Sequence, residues 1–133
     1  MALTFIALFV SSIFFSKYIT QKNDIDKAAD FSYRSFIVES LIYKTNLEQY
    51  IQAKDKTKNM DLMISIENIK STFQSYDLII NANHKLEDSQ YQKRASLFND
   101  YWRLISREYG QLSLEELKTT DSKVREMIKM FQK

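Results

Sequence analysis

One glycine and no proline in 133 residues leave this chain few ways to turn. Glycine supplies positive φ and proline sets turn geometry, so a fold with many reversals is poorly served by such a sequence. A few long helices joined by short polar connections fit it well. The length corresponds to one domain. Nineteen basic residues against seventeen acidic ones give a net charge of +2, spread evenly, which excludes a dedicated nucleic-acid surface. The absence of cysteine removes disulfides, thiolate catalysis and cysteine-ligated zinc together.

The first nineteen residues stand apart. Residues 2–16 read ALTFIALFVSSIFFS, and the first charge is Lys17. Counted to Ile19, with Lys17 snorkelling, the apolar run covers about 27 Å at ~1.5 Å per residue, close to the thickness of a bilayer core. A cleaved signal peptide would carry a basic flank and a small-x-small cleavage site, and neither is present. Residues 1–20 are therefore expected to form a transmembrane anchor that contacts lipid through residues 2–19. Lys17, Lys22 and Lys27 follow the span. Taken alone, the positive-inside rule would put the rest of the chain in the cytoplasm.

Residues 21–133 carry helical periodicity in four segments, expected over about 24–53, 59–82, 88–109 and 113–132. In the first, Ala29, Tyr33, Phe36, Ser40, Tyr43, Leu47 and Tyr50 recur at steps of four and three. Leu62, Ile66, Ile69, Phe73, Tyr76 and Ile80 do so in the second; Tyr91, Ala95, Phe98, Trp102, Ile105 and Tyr109 in the third; Leu114, Leu117, Asp121, Val124, Ile128 and Phe131 in the fourth. Polar stretches at 54–59 and 81–89 separate them. Gly110 is placed to be the left-handed residue that ends the third helix. Ser113-Leu114-Glu115-Glu116 reads as a capping box opening the fourth. Short connections force neighbours to run antiparallel, so the fold class is all-α: an N-terminal transmembrane helix continuing into an up-down four-helix bundle.

Two stripe positions break the apolar rule, Ser40 and Asp121. A buried carboxylate needs a partner. If the distal turns lie at one height, Asp121 is level with about residue 45, and Lys44 is the nearest cation. Lys44 and Asp121 are expected to meet between the first and fourth helices, unless TTDS (119–122) marks a kinked or frayed helix. Arg34 flanks the first stripe, and Arg103 and Arg107 lie on the third helix, where arginine could grip a carboxylate ligand. Arg34, Lys44 and Asp121 are the candidate ligand-binding residues. His84, the only histidine, falls in a connection without an acidic or thiol partner at ligand spacing. No Glu-x-x-His pair, phosphate loop or nucleophile elbow is present, so no metal, cofactor or catalytic residue is expected, and the chain does not read as an enzyme.

The order of parts, with FIVESLIYKTNLEQYIQAKD (36–55) followed by MISIENIKSTFQSYDLII (63–80), resembles the extracytoplasmic sensor domains of bacterial chemoreceptors and sensor histidine kinases. The local match is Tyr50, Ile51 and the charged turn 54–59. The resemblance covers nearly the whole chain as architecture. It implies a cell-membrane receptor whose bundle is periplasmic or extracellular, takes a small-molecule or protein ligand and pairs as a homodimer through helices 1 and 4. It also implies a continuation beyond Lys133 into a second span and a signalling domain, making this chain a fragment. Ser40, Lys44 and Asp121 would form the layer at which helix 4 shifts against helix 1. A second reading is a single-span structural or accessory subunit that docks on a larger complex. Surplus apolar side chains would serve that role, with Phe31 and Val38, or Leu97, Tyr101 and Leu104, as candidates.

Overall fold

The computed structural model describes residues 2–53, 58–83 and 85–132, with side chains from Ser11 in the first helix and from Asn59 in the second. Helix α1 spans Ala2–Ala53, α2 Lys58–Ala82, α3 Ser89–Ile105 and α4 Leu114–Phe131, with a single 3-10 turn at Tyr109–Gln111 before α4. There is no strand among the described residues. His84 and most of the charged turn at 54–59 lie outside them.

Cross-helix pairs fix the directions. Asn46 Nδ2 donates to Ser65 Oγ at 2.8 Å and Asn68 Nδ2 to Glu39 Oε2 at 3.2 Å, so α2 runs against α1. Arg125 pairs with Glu48 at 2.5 Å, and the Tyr33 hydroxyl donates to the Phe131 carbonyl at 3.4 Å, so α4 also opposes α1. Phe36 meets Phe98, and Tyr43 meets Tyr109, so α3 runs with α1. The helices thus alternate in direction around one core.

Aromatic rings fill that core, and Phe36 is its hub. Its ring lies 5.7 Å from Tyr33, 5.3 Å from Phe73, 5.8 Å from Phe98, 6.2 Å from Tyr101 and 4.8 Å from Phe131, touching all four helices. Phe73 and Phe98 stack face to face at 3.8 Å and tie α2 to α3. The expected stripes of α1 and α2 are the buried ones, with Tyr50 and Ile66 half-buried. In α4 the stripe holds from Leu117 to Phe131, while Leu114 is exposed and Thr120 takes an inner position.

Helix α3 departs from expectation. Tyr101 and Leu104, read as surplus surface, are buried, whereas Tyr91, Ala95, Phe98 and Trp102 are only half-buried. Leu97, Phe98, Tyr101, Trp102, Leu104 and Ile105 make both flanks of this helix apolar, so packing rather than periodicity chose the rotation. The helix also ends at Ile105, not at 109. Gly110 lies inside the 3-10 turn without the positive φ expected of a left-handed cap.

Helix α4 starts as expected. Ser113 Oγ accepts from Glu116 N at 3.3 Å, and Glu116 Oε2 accepts from Ser113 N at 2.8 Å, a reciprocal capping box. The Ser113 hydroxyl and amide hold the Glu116 carboxyl below its usual range. Ser113→Ala is expected to lower stability by about 1 kcal/mol, the usual cost of an N-cap, measured by urea unfolding. At the other end of the bundle, α1 continues well past its last contacts: residues 11–24 are exposed, and from Ile25 back to Ala2 the helix projects about 35 Å. Among the described residues no helix is long and apolar enough to cross a membrane. The side chains of residues 2–10, half of the expected anchor, lie outside the described residues.

Candidate functional site

One turn after the aromatic hub, the core of α1, α3 and α4 changes from rings to hydroxyls. Ser40 is fully buried and donates back to the Phe36 carbonyl at 2.9 Å, so it needs no partner from another helix. Tyr43, also fully buried, is hydrogen-bonded through its hydroxyl to that of Tyr109. Tyr109 reaches this layer because α3 stops early. Its hydroxyl donates to the Ile105 carbonyl at 2.9 Å, satisfying an acceptor that the end of the helix leaves open. A phenol has one proton, so Tyr43 donates and Tyr109 accepts. The Tyr101 hydroxyl completes the layer, buried beside Ser40.

Burial penalises a phenolate, so each of these tyrosines holds its proton more tightly than usual. Tyr109 is pushed up to about 12, with the bond from Tyr43 and the Arg107 charge opposing. Tyr101 is raised by burial, with Ser40 opposing. Tyr43 is raised most, by burial first, then by Tyr109, Tyr101 and Asp121. Asp121 thus lies within electrostatic reach of the layer, and its Oδ1 is buried and unpartnered.

The expected direct pair of Lys44 with Asp121 does not form. Lys44 binds Glu48 of its own helix at 3.0 Å; Arg125 bridges Glu48 at 2.5 Å and Asp121 at 2.8 Å. Asp121 has a local cation four residues along α4, and Glu48 has one four residues back on α1, which is the favourable helical spacing. The interhelical link is then a single guanidinium between two carboxylates, as a planar fork allows. Helix α4 is continuous from Leu114 to Phe131, so Asp121 marks no kink. Arg34 is exposed, lies about 15 Å along α1 from Lys44 and does not join the group. Lys44 and Asp121 are therefore linked through Glu48 and Arg125, residues not singled out from sequence, while Ser40 is bonded within its own helix. Asp121→Leu is expected to raise stability by about 1 kcal/mol. It replaces an unpartnered buried oxygen with apolar surface at a stripe position, while Arg125 keeps Glu48 as its ionic partner. A clearly lower unfolding midpoint would contradict it.

A second polar cluster, at the base of the bundle, was not legible in the sequence. Arg94 lies 3.8 Å over the Tyr33 ring and reaches the Tyr76 hydroxyl at 3.3 Å and Asp30 at 3.9 Å. Lys85 pairs with Asp26, and the Tyr91 hydroxyl donates to Asp77. Burial pushes Tyr33 up to about 12 against the Arg94 charge, and burial with the Asp77 bond pushes Tyr91 up to about 12. The cluster fastens α3 and the connection before it to α1. No residue type or spacing flags it, because its members come from three helices and a connection.

Arg103 and Arg107 are exposed, with Asp100 4.0 Å from Arg103. Among the described residues no three His, Cys, Asp or Glu side chains stand where they could hold a metal ion. Compared with protein-family models, curated proteins and solved structures, the chain matches none of them.

Proposed function

We propose that this chain is the ligand-sensing and signal-transducing bundle of a membrane receptor of the chemoreceptor or sensor-kinase type, outside the cytoplasm and held to the bilayer by residues 2–19. The observation that carries the reading is the unbroken course of α1 from Ala2 to Ala53. An apolar end and a bundle helix that are one rod move together. The rod bears Glu48, which Arg125 of α4 bridges, and one turn away Lys44 and Tyr43.

The seam between α1 and α4 suits a small shift. A guanidinium bridge, with one buried Asp121 oxygen left unpartnered, holds it less firmly than the ring packing beside it. Ligand or partner contact that moves α4 by an ångström or two would exchange these polar contacts and pass the shift down α1. The receptor works as a homodimer through α1 and α4, and Asp121→Leu, by setting one packing, holds its output fixed.

A second reading, a single-span accessory subunit docking on a larger complex, is favoured by Phe31 and Val38, which are 73% and 52% exposed on the outer face of α1. A cysteine-free chain makes the two separable. Val38→Cys in native membranes, oxidised and run without reductant, is expected to give a covalent homodimer. A cross-link to a different, larger partner would replace the receptor reading with the accessory one.

A further inference from the structure

We propose that the base of the bundle is a lipid-facing surface, on which the groove between α1 and the end of α2 seats the headgroup of a zwitterionic phospholipid. The inference rests on the anchor reading and goes beyond it. Below the bundle, α1 exposes Phe14, Phe15 and Tyr18 by 65–69%, with Ile13 and Ile19 beside them, and none of the described residues covers them. This apolar surface leads directly into the groove, whose floor is Ile25, Ala28, Ile79 and Ala82.

Heights along the rod decide what the groove meets. With Ile19 at the edge of the hydrocarbon, Ile25 stands about 9 Å further out, at ~1.5 Å per residue. The headgroup layer is roughly 5–8 Å deep on each side. The part of the groove lined by Thr20, Gln21 and Asp24, about 2–8 Å out, therefore lies among headgroups, with Lys17 just inside the hydrocarbon edge and Ile25 and Ala28 beyond the headgroup layer. Two charges line it, Lys17 on the hydrocarbon side and Asp24 two turns further out. That order matches a phosphate nearer the acyl chains and an ammonium group nearer water. Lys22 and Lys27 are offset by Asp24 and Asp26, so the surface has little net charge with which to select anionic lipid.

The connection between α2 and α3 reaches the same level. The Lys85–Asp26 pair ties it to α1 at that height, and Leu86 beside it is 42% exposed. An apolar side chain at such a tip is placed to enter the interface.

The absence of cysteine permits the test on the full chain. Phe14→Cys, Leu86→Cys and Met63→Cys each carry a fluorophore, in phosphatidylcholine vesicles with a quencher on the acyl chain or the headgroup. Acyl-chain quencher is expected to dim position 14, and headgroup quencher to dim position 86. Position 63, at the far end of the bundle and 61% exposed, is expected to stay bright. Quenching at 14 without quenching at 86 would keep the anchor and overturn the lipid seat. No quenching at 14 would remove the anchor and the seat with it. Quenching at 86 that requires anionic lipid would overturn the zwitterionic assignment.

Discussion

Raising the pH from about 10 to about 12 is expected to unfold the bundle cooperatively. A phenol ordinarily titrates near 10, and Tyr109 in the folded chain does so near 12, with Tyr43 and Tyr101 raised as well. Below about 10 both folded and unfolded chains keep these protons, and the stability associated with burial is whole. Above it the unfolded chain gives its protons up while the folded chain retains them. Stability is then lost as pH climbs towards the folded values. Each such group contributes up to about 1.4 kcal/mol per pH unit, so three together reach roughly 4 kcal/mol per unit. Two units of that slope are comparable with the whole stability of a domain, about 5–15 kcal/mol. Helical circular dichroism and tyrosinate absorbance should therefore change together. Tyr43→Phe should make the transition shallower, since one proton fewer is linked to folding. Ionisation of all eight tyrosines near 10 with the helices intact would refute the buried hydroxyl layer.

Much of this fold was legible because a helix repeats its partners. In α1 and α2 one flank is apolar and the other polar, so steps of three and four located Tyr33, Phe36, Tyr43, Leu62, Ile69 and Tyr76 without any knowledge of neighbours. In α3 both flanks are apolar, and the same rule gave a stripe rotated away from Tyr101. The polar layer failed in a related way. Level counting set Lys44 beside Asp121. It could not say that Arg125 and Glu48, each one turn from one of them, would intervene. Which of several nearby charges pairs depends on helix rotation, and rotation is set by the whole core. The early end of α3 was hidden for the same reason: it places the Tyr109 hydroxyl on Tyr43 and Ile105, a long-range gain that no local turn signal encodes.

The largest effect of a single substitution is expected at Phe36. Its ring is wholly buried and touches Tyr33, Phe73, Phe98, Tyr101 and Phe131. Truncation to alanine would withdraw a partner from every helix at once. A buried Phe→Ala change costs about 3–5 kcal/mol, the range reflecting how far the surroundings collapse. Collapse is hindered here, because Phe73 and Phe98 are already stacked on each other and Phe131 is fixed by the end of α4. The upper part of the range is therefore expected, a large share of what the domain has. Phe31→Ala is the matched control, since that ring is 73% exposed and its loss should change stability by only a few tenths of a kcal/mol. Urea unfolding of both variants in detergent gives the comparison directly. Equal midpoints would mean that Phe36 is not the hub. A drop confined to Phe36→Ala, with Phe36→Leu in between, would locate the centre of the core where the four helices meet.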